Sequence, residues 1–167
     1  MPKQQGFVWT EVLIATGIFL LLASVAVPQG YNLWRRAALD YETVRLANDL
    51  RDMFRDQRTV IYDRAYFDTV LPQEAEWFSL IAENDGYRVE NRKNNTLRRH
   101  RCLPGIHVAL NNGGKTALTV NKDGYTVSNN TVVVYYGDGD RKFPLYGKRR
   151  YVIVDTAGRV RIDWRAP

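Results

Sequence analysis

Glu11 stands at the head of an apolar run, and that position asks for a partner. From Val12 to Val27 there is no charged residue. A charged side chain inside a membrane helix costs roughly 2.5–3.5 kcal/mol on insertion scales. The chemistry expected of Glu11 is therefore charge pairing, with a cation supplied by another group. The remaining reactive side chains are sparse. The two histidines are His100 and His107, and the single cysteine is Cys102. Neither histidine lies at helical i,i+4 spacing to a second ligand and no cysteine pair exists, so local spacing predicts no zinc site. One cysteine also excludes an intrachain disulfide. Cys102 reads as a small buried hydrophobe, and the histidines as surface or sheet residues. There is no G-x-x-x-x-G-K-[ST] phosphate loop and no Gly-x-Ser-x-Gly elbow. Gly137-Asp138-Gly139-Asp140 offers oxygens to calcium, but two carboxylates fall short of the roughly six to eight ligands that ion takes, and a hairpin turn is the better reading. No constellation for an enzyme is present, and the expectation is a protein with no catalytic residue, no cofactor and no metal.

The basic residues are the other chemical signal. Net charge is +6, which suits an acidic partner, a membrane surface or nucleic acid. Arg88, Arg92, Lys93, Arg98, Arg99 and Arg101 form one stretch opposed locally only by Glu90. Arg141, Lys142, Lys148, Arg149 and Arg150 form a second, without an acid. Arg159, Arg161 and Arg165 close the chain. On a strand Arg159 and Arg161 share a face. Two guanidinium groups so spaced contact neighbouring phosphates, with salt-sensitive, sequence-independent affinity. Tyr135, Tyr136, Tyr146 and Tyr151 offer stacking surfaces for unpaired bases. The same clusters also read as solvated faces or subunit contacts.

The elements that position these groups follow from periodicity. Residues 7–28, as a helix rising ~1.5 Å per residue, match a hydrocarbon core of about 30 Å. After Pro28, Leu39, Leu46 and Met53 recur at heptad spacing, with Val44, Leu50 and Phe54 beside them. Arg45, Asp49, Arg51, Asp52, Arg55 and Asp56 make the opposite face. One long helix over 7–62 is expected, broken at Pro28, which lacks a backbone donor. From Asp63 the period becomes alternating. Candidate strands are 65–70, 77–82, 87–91, 96–101, 106–110, 117–120, 131–136, 151–155 and 159–164, separated by Asn-, Asp- and Gly-rich turns and close enough for antiparallel hairpins and meanders. The fold class is α+β: a long N-terminal helix, then an antiparallel β domain over 63–167, where about a hundred residues suffice for one core. By residues alone the apolar run reads as a membrane anchor. A cleavable secretory signal is disfavoured, since the charged leader is tiny and no Ala-x-Ala site follows. Lys3 on one side and Arg35 and Arg36 on the other leave orientation open.

The arrangement Lys3, Gly6, Phe7, Glu11, an apolar helix and Pro28 resembles the class III signal of type IV prepilins and pseudopilins. The resemblance implies a leader, residues 1–6, removed after Gly6 by a membrane prepilin peptidase, with methylation of the new N-terminal Phe7. Glu11 then falls at mature position five and Pro28 at position twenty-two. It implies that Glu11 of one subunit neutralises the Phe7 α-ammonium of a neighbour during assembly. A long helix followed only by short strands is similar to the minor pseudopilin of the H type and the minor pilins of natural-transformation pili. Such proteins are single-pass in the bacterial inner (cytoplasmic) membrane, with the C-terminal domain outside the cytoplasm. They enter type II secretion pseudopili, type IV pili or competence pili. Their partners are the other pilins, the assembly platform and its motor. Gly158-Arg159-Val160-Arg161 resembles the Gly-Arg-x-Arg element through which minor pilins of DNA-uptake pili contact DNA, which makes Gly158, Arg159 and Arg161 the candidate DNA-binding residues.

Overall fold

A computed structural model describes residues 5–66, 78–83, 85–91, 94–111, 117–121, 124–126, 129–137 and 149–164. One helix, α1, spans Gln5–Tyr66. It takes in the expected 7–62 and continues one turn further, so Ala65 and Tyr66, read above as the start of a strand, are helical. The rest of that candidate strand, 67–70, lies outside the described residues, as do the leader residues 1–4. Pro28 sits inside the helix, and helical structure continues on both sides of it. The expected break is not present: proline removes one N–H, but the turns on either side keep their own bonds.

Among the described residues eight strands follow: β1 (Phe78–Glu83), β2 (Gly86–Asn91), β3 (Thr96–Arg101), β4 (Ile106–Leu110), β5 (Ala117–Val120), β6 (Asn130–Tyr136), β7 (Arg149–Val154) and β8 (Val160–Asp163). They form two four-stranded sheets in the orders β3-β2-β1-β5 and β4-β6-β7-β8. Every pairing is antiparallel. Adjacent strands pair in β1–β2, β2–β3, β6–β7 and β7–β8, as the turn signals predict. β4 and β5 do not pair with each other. The chain crosses to the second sheet at β4, returns to the first at β5, and leaves it again for β6.

Two compact units divide at residue 37. In the first, residues 1–37, α1 carries the apolar run. In the second, residues 38–167, the remaining part of α1 lies in one core with both sheets. That core contains Leu39, Leu46, Leu50, Met53 and Phe54 of the helix, Leu80, Tyr87 and Leu118 of the first sheet, and Ile106, Val132, Val134 and Val152 of the second. The heptad stripe is therefore the buried face. Val44 is not part of it and stands exposed. At helical spacing its place in the stripe is taken by Glu42 and Thr43, both buried. Burying Glu42 obliges the fold to supply hydrogen bonds to its carboxylate. β6 carries apolar residues on both faces, and Val133 and Tyr135 form a second cluster with Tyr151 and Ile153.

Candidate functional site

The apolar part of α1 exposes its side chains along its length: Trp9, Leu13, Ile14, Phe19, Leu21, Leu22 and Val27 are all more than half exposed in the isolated chain. Its polar side chains turn back onto the helix. Thr16 Oγ1 donates to the Val12 carbonyl and Ser24 Oγ to that of Leu21, each at 2.7 Å. Such bonds keep hydroxyls compatible with lipid. Glu11 cannot satisfy its charge in this way, and its side chain is exposed. Gly6 and Phe7 lie in the first helical turn. Past the apolar run, Tyr31 and Trp34 stack at 6.1 Å between ring centroids, and the Arg35 guanidinium sits 4.0 Å from the Tyr31 ring. Paired aromatics with a cation are the side chains that settle at a membrane–water boundary. This helix is long and apolar enough to cross a membrane.

The Gly-Arg-x-Arg element forms the turn into β8. Gly158 adopts φ +76, and a Cβ built on it would lie 2.7 Å from Cδ1 of Phe54. Its conformation and its closeness to α1 both demand glycine. Gly158 N–H donates to the Asp155 carbonyl at 3.0 Å. Arg159 precedes β8 rather than lying in it. Its N–H and Nε both donate to the Asp155 carboxylate at 2.8 Å. Arg161 is exposed on β8. The two arginines are brought together along a cleft of about 930 Å³, also lined by Arg51 and Arg55 of α1, Phe54 and Asn129. Sequence reasoning placed Arg51 and Arg55 merely on the wet face of the helix. Four arginines along one cleft make a cationic groove, part of whose charge is already answered. Arg55 pairs with Asp52 at 2.8 Å, Arg51 donates to the Val160 carbonyl at 3.2 Å, and Asp155 faces Arg159. The Arg159 N–H, then its guanidinium, hold the Asp155 carboxyl below the usual carboxylate range.

The other two basic stretches change character in three dimensions. Arg88 lies 2.7 Å from Glu83 and equally near Glu90, whose approach to Nε lacks hydrogen-bonding alignment. Arg99 also binds Glu83, Arg98 binds Asp49, and Arg101 lies 3.4 Å from Asp85. Locally only Glu90 opposed this stretch. The fold adds acids from β1, from its turn and from α1, so the described arginines of this stretch are each answered by a carboxylate. Arg150, from the second cluster, is buried, pairs with Asp40 at 2.8 Å and lies 4.2 Å from the Trp164 ring. Its role is to tie β7 to α1. Arg92, Lys93, Arg141, Lys142, Tyr146, Lys148, Arg165 and the acidic pair Asp138 and Asp140 lie outside the described residues.

A third grouping has no local signature. Glu42, His100 and Cys102 offer ligand atoms all within 4.8 Å of one another. His100 Nε2 is 2.7 Å from Glu42 Oε2, and the Leu103 N–H donates to Oε1 at 3.0 Å. Burial, then the Glu42 charge and its hydrogen bond, push the Cys102 thiol up to about 12. Cys102 is half-buried and packed against the core, as expected of a small hydrophobe, but it also lies beside a carboxylate. The separation of Glu42 from His100, 58 residues, hid the grouping. The one legible sign was His100-x-Cys102, since side chains two apart on an extended strand share a face. His107 lies elsewhere, with Nε2 2.9 Å from the Gly137 carbonyl.

Comparison with protein-family models, curated proteins and solved structures finds no match.

Proposed function

We propose that this protein is a minor pilin or pseudopilin, a non-enzymatic structural subunit of a type II secretion or type IV pilus-like filament. The observation that carries the reading is Glu11. It is an exposed carboxylate at the head of a helical segment whose apolar side chains find no cover within the chain. Such a segment suits lipid first and neighbouring copies of the same helix later. In an assembled bundle the α-ammonium of a processed Phe7 answers the Glu11 charge, and the exposed leucines and phenylalanine bury one another. The β domain, whose core is completed by its own stretch of α1, then decorates the filament. The prepilin peptidase, the other pilins, and the assembly platform with its motor are the partners in this reading. The protein waits in the inner membrane as a single-pass subunit until it assembles.

The intact mass of the protein extracted from its native membrane tests this. Loss of Met1–Gly6 together with the gain of about one methyl group on Phe7 is expected from N-terminal processing. A full-length, unmethylated N-terminus in cells with an active peptidase reduces the helix to a plain anchor.

A second reading, a DNA-binding minor pilin of a competence pilus, is favoured by one observation: Arg51 and Arg55 line the same cleft as Arg159 and Arg161. Phosphates laid along that cleft would meet guanidinium groups from both α1 and the β8 turn. Duplex DNA retarded by the full chain in detergent, with retardation lost in Arg159→Gln/Arg161→Gln, is the expected result. Unchanged retardation in the double variant removes this reading and leaves the structural one intact.

A further inference from the structure

We propose that Glu42, His100 and Cys102 form a metal site of the zinc class that ties α1 to the end of β3. The three side chains supply oxygen, nitrogen and sulfur, the donor set that selects zinc or cobalt over magnesium or calcium. Metal–ligand bonds of about 2.0–2.3 Å place tetrahedral donor atoms about 3.5 Å apart, so atoms already within 4.8 Å of each other need only small side-chain adjustments.

The surroundings are those of a supported site. Glu42 is buried and comes from the middle of α1. Its second oxygen is fixed by the Leu103 N–H at 3.0 Å, the kind of outer bond that holds a ligating carboxylate in place. The Tyr87 ring packs against His100 at 5.3 Å between centroids and limits how the imidazole can turn. His100 also borders an open cleft of about 510 Å³ with Glu83, Asp85, Arg99 and Arg101. Three protein ligands leave the fourth tetrahedral position to a water.

The charges balance on binding. Glu42 contributes one negative charge. The Cys102 thiol gives up its proton to solvent as the sulfur–metal bond forms, contributing a second, and His100 binds as a neutral imidazole. A divalent cation then leaves the set neutral, which removes the cost of a charged carboxylate in the core. The chain has one cysteine and cannot form an internal disulfide. A metal bridging positions 42 and 100 would stabilise the fold differently, by binding the folded chain and not the unfolded one.

The test uses the full-length chain in detergent, stripped with a chelator and then given zinc or cobalt(II). About one equivalent of zinc retained through gel filtration is expected for one site of three protein ligands. The cobalt form should show a near-ultraviolet thiolate-to-metal charge-transfer band. Cys102→Ser should lose the band, and His100→Gln should weaken zinc retention by at least about tenfold. No charge-transfer band in the wild-type protein overturns the proposal without reference to any variant. Equal zinc retention by wild type and Cys102→Ser overturns it too, by placing the metal elsewhere.

Discussion

Gly158 rests against the ring of Phe54: a Cβ on the glycine would stand 2.7 Å from Cδ1, and φ at that position is +76. The first residue of the Gly-Arg-x-Arg element is therefore held by its packing on α1, whatever the arginines beyond it contact. Gly158→Ala should destabilise the domain by roughly 2–4 kcal/mol, combining left-handed backbone strain with overpacking. Denaturant unfolding of the full chain measures this. Trimming the facing ring should relieve the clash but not the backbone strain, so Gly158→Ala/Phe54→Leu should cost less than the sum of the single changes.

Glu11 makes the sharpest assembly prediction. Glu11→Ala should insert into the membrane as well as the wild type, because it removes a charge that costs roughly 2.5–3.5 kcal/mol in lipid. Filament incorporation should nevertheless be lost, since the neighbour's α-ammonium is left unanswered. Membrane fractionation beside crosslinking to other pilins separates the two steps. Normal incorporation of the variant would remove Glu11 from the assembly role.

Asp155 restrains Arg159 through two bonds of 2.8 Å. Its carboxyl is held below the ordinary range, so the turn's contribution is present above the unfolded value, about 3.9, and is lost as pH falls through the lower folded value. At neutral pH Asp155→Asn should free the Arg159 guanidinium and tighten any DNA retention. Arg159→Gln/Arg161→Gln should loosen it and reduce the salt slope by about two, one unit for each lost phosphate contact. Mobility shifts at several salt concentrations provide both readings. If Asp155→Asn leaves retention unchanged, Arg159 makes no phosphate contact.

Tyr87 sets an alkaline limit. Its hydroxyl donates to Asp49 Oδ2, and burial, then that bond, raise its pKa well above the ordinary tyrosine value of about 10. The folded protein holds this proton more tightly than the unfolded chain does. The contribution is thus fully present below about pH 10 and is lost as pH rises through the folded value. Spectrophotometric titration should show one tyrosine ionising late, together with unfolding. Tyr87→Phe should abolish that late step. At neutral pH it should cost only about 1 kcal/mol, the worth of one hydrogen bond, because Arg98 still binds Asp49.

Much of the architecture was legible along the chain. The uncharged run after Glu11 and the spacing of Leu39, Leu46 and Met53 each repeat within a few residues, so they define α1 and its buried face locally. The turn residues that bound Thr96–Arg101, and the alternation that begins Ile106–Leu110, likewise mark β3 and β4. What the tertiary structure decided was which distant segments meet. β4 and β5 follow one another in sequence yet belong to different sheets, because strand pairing depends on the faces that the whole core must bury. Helical periodicity alone could not show that Val44 is exposed while Glu42 is buried. That depended on where His100 and the Leu103 N–H came to lie. The acids that answer Arg88, Arg98 and Arg99, and the burial of Arg150 against Asp40, are likewise contacts across the fold. Backbone conformation is a local free-energy choice and leaves a periodic trace in the sequence. Charge pairing and ligand geometry arise from packing between segments far apart in the chain, and they become visible only once those segments have folded together.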